Sequence, residues 1–296
     1  MRSKGDQLSY HLMLGPGLLV LLLFSVVPMF GIAMAFEHYV PSKGIFHSTW
    51  VGLDNLRYLF QIHDGKQIFY NTVFIAVMKI VSNLVVSLVF AVLLNELRLR
   101  FYKRVIQTVV YLPHFLSWII LAGILWDILS YRGLVNQILG VFHVEPIMFF
   151  ASNRWFPFIV VASEVWKEFG FNTIVFLAAL TGIGPALYEA AALDGAGRLR
   201  RLRHVTLPGL TPVVILLATL SLGNVLNAGF DQIFVLYNPL VFESGDIIDT
   251  YVYRSGLLDA QYGFATAVGL MKSAVGFVLI LASYFLASKF ANYRIF

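Results

Sequence analysis

Seven ionisable side chains stand inside long apolar runs of this 296-residue chain: Lys79, Asp127, Glu164, Lys167, Glu168, Asp231 and Lys272. A charge at such a position costs about 3 kcal/mol in hydrocarbon, so each group needs a cavity, a counter-charge or another helix beside it. Glu164, Lys167 and Glu168 fall at i, i+3 and i+4, which gathers an internal charge cluster on one helix face. Asn224, Asn227 and Asp231 repeat at intervals of three and four and make a polar stripe further on. Without a nucleophile or a metal, such groups can still replace the water that a polar solute sheds on entering an apolar layer. The same groups also hold helices together through hydrogen bonds and ion pairs, and Gly269 with Ser273 reads as a close-packing pair. Asp127 lies close enough to the end of its run to be merely solvated. Three lysines stand against four acids in these runs, so the charge of a solute stays open.

A second group lies between the fourth and fifth apolar runs, where the chain reads YEAAALDGAGRLRRLRHVTLPGLTP from Tyr188. Pro185 can open a short helix, with Glu189 in the first turn favouring the positive end of the helix dipole. Ala190, Ala191 and Ala192 propagate it and present a smooth surface that another protein can approach closely. Gly195 and Gly197 are expected to end or turn that helix, since glycine takes up the left-handed conformation at little cost. Leu199 and Leu202 then recur among Arg198, Arg200, Arg201, Arg203 and His204, a basic amphipathic segment suited to an anionic leaflet surface. Pro208, following Leu207, is expected to stop that segment just before the fifth run. The product is an elbow: a docking helix, a glycine bend, a surface helix and a span. A basic elbow taken alone could equally anchor the chain to lipid.

Other chemistries lack their residues. There is no cysteine, hence no disulfide, thiol nucleophile or thiolate metal site. Gly65-Lys66 lacks the rest of a phosphate-binding loop, so ATP hydrolysis by this chain is excluded. No G-x-S-x-G or H-E-x-x-H pattern occurs, and the seven histidines are scattered.

The elements that position these residues follow from composition. Hydrophobic residues make up 59% of the chain and charged ones 12%, against about a quarter charged in soluble domains. A globule in water cannot cover itself with so few charges, so much of the surface must face lipid. Six runs reach the length of about 20 apolar residues that a bilayer requires: Leu12–Phe36, Asn71–Leu94, Ile106–Ser130, Phe156–Thr181, Thr211–Tyr237 and Gly263–Leu286. The first could imitate a signal peptide, with Arg2 and Lys4 ahead of it and Ala33-Met34-Ala35 behind, but its apolar region is too long. With the N-terminus inside, the inner segments collect twelve basic residues against four acids, and the outer segments six against eight. Both termini are therefore expected on the cytoplasmic side. The outer connections near 37–70, 131–155 and 238–262 read as compact loops, with Trp50 and Trp155 at the outer interface. Neither an internal repeat nor a broken helix is evident. The reading is an all-α integral membrane protein with six transmembrane helices.

Glu189-Ala190-Ala191, three residues, Gly195, nine residues and then Val205-Thr206-Leu207-Pro208 closely resemble the EAA loop of ABC-importer permeases, with Val205 where the family usually has isoleucine. YLPHFLSW (111–118) and WKEFGFNTIVFLAALTGI (166–183) are similar to segments of the sugar and oligosaccharide permeases, the lipoprotein-associated polysaccharide and alginate-importer groups among them. The resemblance covers roughly residues 70–290 and implies a type I, MetI-like permease. It divides the chain into an N-terminal segment, first helix and outer loop (1–70) and a five-helix core (71–296) with a cytoplasmic coupling loop at 182–209. It implies a bacterial cytoplasmic membrane location, a second permease subunit, two ATPase subunits, an extracytoplasmic solute-binding protein and surrounding lipid, and no nucleic acid. ATP and magnesium would be held by the partner ATPase, with no cofactor in this chain. Glu189, Ala190, Ala191, Asp194, Gly195, Arg198, Leu207 and Pro208 would then couple to the ATPase. Glu164, Trp166, Lys167, Asn224, Asn227, Asp231 and Lys272 would line the solute path, where Trp118, Trp126 and Trp166 could stack on pyranose rings. The rival readings are an ion-coupled secondary transporter, which usually shows repeats and broken helices, and a membrane enzyme, for which no catalytic constellation is present.

Overall fold

Inside a bilayer every backbone N–H and C=O must find a partner within the protein, so long apolar runs become helices. The computed structural model describes residues 4–62, 64–97, 99–223 and 225–291, with side chains described between 11 and 285. Among these residues five segments are long and apolar enough to cross a membrane: His11–Phe36, Gly65–Glu96, Trp118–Val141, Arg198–Leu222 and Tyr262–Phe285. A sixth is the bent pair Phe156–Thr181 with Pro185–Leu193, whose axes differ by 69°. The chain is a multi-pass helical membrane protein.

Several spans depart from the continuous helices expected. The third run is cut where Leu112–Phe115 tightens into a 3-10 turn around Pro113, and Ser117 then caps a new helix, Trp118–Leu129, by accepting from Ile120 N. Proline removes one backbone donor and clashes with the preceding turn, which explains the cut. Pro208, by contrast, does not stop the segment before it. The Arg198–Arg201 turn passes through a wider turn at Leu202–Thr206 into Leu207–Leu222 as one continuous helix. A widened turn accommodates the proline without ending the helix. The fifth run breaks at the other end: the helix ends at Leu222, and a new short helix, Phe230–Leu236, starts only after Gly229.

The chain divides into two compact units. One comprises residues 1–66 and 251–274. Its first span is apolar all round, and Leu18, Leu19, Val20, Leu21, Leu22 and Leu23 are each just over half exposed, as a lipid-facing helix requires. A two-residue antiparallel ladder pairs Glu37 with Trp50 and His38 with Thr49. Asn55 holds the turn below it by donating to Ala35 O and Glu37 O, both at 3.0 Å.

The other unit comprises residues 67–250 and 275–296. Its core gathers Ile75, Phe149, Phe150, Phe156, Val160, Ile233, Leu236 and Ile247. A second cluster joins Ala91, Phe176, Leu180 and Leu210. The connections are tied by amides. Asn71 donates to Glu243 O and Asp246 O, and Asn136 bridges Ser130 O and Ile147 O at 2.9 Å each. The second and fourth spans (Gly65–Glu96 and Phe156–Thr181) pack in this unit and carry most of the buried polar groups described next.

Candidate functional site

The elbow takes its shape from local backbone chemistry. Pro185 stands at the start of the docking helix, Pro185–Leu193, where its missing N–H costs nothing. At the other end Asp194 is the cap, Gly195 N donates to Ala192 O at 3.1 Å, and Ala196 N donates to Ala191 O at 2.9 Å. This reciprocal pair of bonds is a Schellman closure, and it requires the left-handed residue that Gly195 supplies with φ +72°. Nothing lies within 4 Å of where a Cβ on Gly195 would sit, so backbone conformation rather than space selects glycine there. Gly197 has an ordinary extended backbone, with φ −66° and ψ 172°, and its carbonyl receives Arg201 N at 3.0 Å. Tyr188 Oη lies 3.1 Å from Thr206 Oγ1 and fastens the docking helix to the second arm. The outer side is open: Glu189, Ala190, Asp194, Arg198 and Pro208 are exposed, and so are Leu193 at 90% and Leu199 at 77%. Apolar side chains that open on a structured turn form a surface suited to another protein.

Deeper in the same unit the second, fourth and fifth spans line a half-open cavity of about 240 Å³, where polar groups stand among apolar ones. Lys79 crosses to the broken fifth span, where its ammonium donates to Ala228 O at 2.6 Å and to Gln232 Oε1. Its counter-charge, Glu164 Oε2, lies 3.9 Å away. Gln232 is fully buried and passes its two amide hydrogens to Val160 O and Ser163 Oγ, each at 2.8 Å. Lys79 thereby satisfies a carbonyl that the helix break at residues 223–229 leaves without an intrahelical partner. On the next turn Asn172 donates to Asn83 Oδ1 at 3.0 Å, and Ser87 donates to Phe169 O at 3.1 Å. Asn83, Ser87, Asn172, Ser221 and Asn227 complete the polar lining.

A separate polar knot supports the break in the third span. Lys167 donates to His114 O at 2.6 Å, Glu168 accepts from Lys167 at 3.2 Å, and His114 Nδ1 lies 2.8 Å from Glu168 Oε2. The His114 ring stacks on Phe171 with centroids 4.1 Å apart. The carbonyl released near Pro113 thus finds a charged donor, and two opposite charges meet at close range.

The sequence and the fold recur in proteins of known role. Residues 83–292 match the family described as the binding-protein-dependent transport system inner membrane component. The chain belongs to that family. The polygalacturonan/rhamnogalacturonan transport system permease protein YteP of Bacillus subtilis (strain 168) is 39% identical over 287 residues, covering 97% of this chain and 89% of that protein. A chain in the crystal structure of a bacterial ABC transporter involved in the import of the acidic polysaccharide alginate superposes with TM-score 0.88 and 36% identity, over 97% of both chains. A second structure, of the bacterial alginate ABC transporter in complex with an alginate pentasaccharide-bound periplasmic protein, superposes at 0.87 with 36% identity, over 97% of this chain and 96% of that one. As a member of this family the chain is a permease component and not itself an enzyme.

Within this permease the residues singled out from sequence for a solute path fall in different places. Glu164 and Asn227 line the cavity. Lys167 is turned to His114 instead, so the charge cluster expected on one helix face divides, with Glu164 reaching the second span and Lys167 and Glu168 the third. Trp166 lines a largely apolar groove with Phe74, Met78, Val86 and Phe169. Asp231 is exposed in the first turn of Phe230–Leu236, outside the cavity lining. Lys272 lies in the other unit, and Asn224 falls outside the described residues. The sequence reading missed Asn83, Ser87, Asn172 and Gln232 as site residues, and it noted Lys79 only as an in-span charge. Asn83 and Ser87, four apart in an apolar helix, were the available signal.

Proposed function

We propose that this chain is the membrane-spanning permease subunit of an ATP-driven importer for a sugar or oligosaccharide, seated in the bacterial cytoplasmic membrane with both termini inside. The elbow at residues 185–208 carries this reading. Its docking helix turns by 69° from the fourth span, is closed by a left-handed glycine, and leaves Leu193 almost fully exposed. In this account an ATPase subunit docks on Glu189, Ala190, Ala191, Asp194 and Gly195, with Arg198, Leu207 and Pro208 on the arm that leads back into the membrane. Closure of the ATPase pair moves the elbow, and the fourth and fifth spans carry that movement to the cavity between them. A second permease subunit completes the path, an extracytoplasmic binding protein delivers the solute, and ATP with magnesium stays on the ATPase. The sugar specificity is supported by the polysaccharide transport roles named for the relatives and by the amide- and hydroxyl-rich lining around Asn83, Ser87 and Asn172.

The test is ATPase activity of the purified complex in lipid with saccharide-loaded binding protein, comparing wild type with Glu189→Lys. Stimulation in wild type and loss in the variant, with the variant still membrane-inserted, is the expected result. Equal stimulation in both would remove the elbow from the coupling path.

A further inference from the structure

The polar cavity contains one cation and one carboxylate among its described lining residues, Lys79 and Glu164. Lys79 is committed to the fold, and Glu164 is its counter-charge. Lys79 gives its ammonium hydrogens to Ala228 O and Gln232 Oε1 and faces Glu164 at 3.9 Å, so it brings no uncompensated charge to a guest. Gln232 cannot release it cheaply, because its own amide is spent on Val160 O and Ser163. Beside this ion pair, the lining offers neutral groups with hydrogen-bonding capacity. Asn83 Nδ2 and Asn172 Oδ1 have no protein partner among the described residues, one a donor and the other an acceptor. A hydroxyl both donates and accepts, and it matches such a pair. A carboxylate, which only accepts, would meet Glu164 and the unpaired Asn172 oxygen.

We infer that this cavity is charge-balanced and selects the uncharged hydroxyl groups of a saccharide, not a carboxylate, with Asn83 and Asn172 as the contacting residues and Lys79 as a positioning residue for the broken fifth span. This deepens the proposed function and rests on its assignment of the cavity to the solute path. An acidic saccharide would then have its carboxylates bound elsewhere, by the binding protein or by other parts of the path. The cavity would read only the ring hydroxyls that acidic and neutral sugars share. Balance of this kind suits a path better than a tight ion pair, since a solute held by a buried opposite charge leaves slowly.

The experiment uses the purified complex in lipid nanodiscs and two probes: trigalacturonate and its fully methyl-esterified form, which differ in charge but share ring hydroxyls. Equilibrium binding of each is measured for wild type, Glu164→Gln and Asn172→Asp, with binding-protein-stimulated ATPase recorded alongside. Wild type is expected to bind the two probes within about threefold of each other. Glu164→Gln leaves Lys79 uncompensated and should shift the ratio roughly tenfold towards the charged probe. Asn172→Asp adds a negative charge and should shift it by a similar factor the other way. A wild-type preference of tenfold or more for trigalacturonate would overturn the inference, and so would a ratio that neither substitution moves. If wild type binds neither probe while its ATPase still responds to loaded binding protein, the cavity is not a saccharide site and the inference fails alone. If the ATPase response is absent as well, the importer reading fails with it.

Discussion

Two glycines hold left-handed backbone for different reasons, and replacing each by alanine separates those reasons. Gly229 has φ +93°, and a Cβ built there would lie 2.7 Å from Lys79 Nζ. Gly195 has φ +72° and open space around the same position. Left-handed backbone costs a residue with a Cβ about 1–2 kcal/mol, and this term applies to both. At Gly229 the methyl also pushes the ammonium away from Ala228 O, which sits 2.6 Å from it, and from Gln232. A lysine tip in solvent would simply swing aside, but Lys79 is 7% exposed, and moving it strips the Ala228 carbonyl of its charged donor. Losing one charged hydrogen bond in that setting adds about 1.5–3 kcal/mol. Gly229→Ala should therefore cost about 2.5–5 kcal/mol and Gly195→Ala about 1–2 kcal/mol. Thermal unfolding in detergent, followed by fluorescence-detected gel filtration, reads the difference. At about 2–4 °C per kcal/mol the Gly229 variant should melt roughly 3–12 °C below the Gly195 variant. Equal melting points would refute the claim that Lys79 is anchored where the fifth span breaks.

Two further substitutions probe the supports around the site. A Cβ at Gly170 would stand 2.3 Å from Val110 O, a backbone atom that cannot step aside, so Gly170→Ala should separate the fourth span from the Arg100–Tyr111 helix and cost about 3 kcal/mol or more, read as lowered thermal stability. Lys167→Met keeps the stem but leaves His114 O and Glu168 without their cation. It should destabilise by about 3 kcal/mol, and changing Glu168 to Gln in the same chain should recover part of that loss in a double-mutant cycle.

The membrane class, the bounds of the first, second, fourth and sixth runs to within two turns, and the elbow with its left-handed Gly195 are readable from sequence, because length, apolarity and glycine chemistry act locally. The third and fifth spans instead lie at Trp118–Val141 and Arg198–Leu222, well displaced from the runs Ile106–Ser130 and Thr211–Tyr237. The breaks are not readable in this way. A run that is apolar on every face carries no periodicity, so nothing in Thr211–Tyr237 separates a continuous helix from one that stops at Leu222, apart from the glycines and asparagines inside it. Pro208 and Pro113 show the same limit from the other side. Both are prolines in apolar context, yet one is absorbed by a widened turn and the other cuts its span. The cavity is still less legible, because its bonds join distant residues: Lys79 to Ala228 and Gln232, and Asn83 to Asn172. Spacing along one helix suggested that Glu164 and Lys167 share a face and act together, whereas tertiary packing gave each a partner on a different span.

The central claim is that the elbow transmits ATPase movement, and the absence of cysteine from the chain makes it directly testable. Leu193→Cys introduces a single thiol at an almost fully exposed position of the docking helix. It would be paired with single cysteines on the co-purified ATPase subunit and oxidised in nucleotide-free and ATP-trapped states. The account predicts disulfide cross-linking to the ATPase whose yield or partner position changes with nucleotide, and no such cross-link from a control cysteine at Phe142, which is exposed in a connection that the proposed topology puts outside. Absence of any cross-link from position 193 in every state, in a complex that still transports, would contradict it.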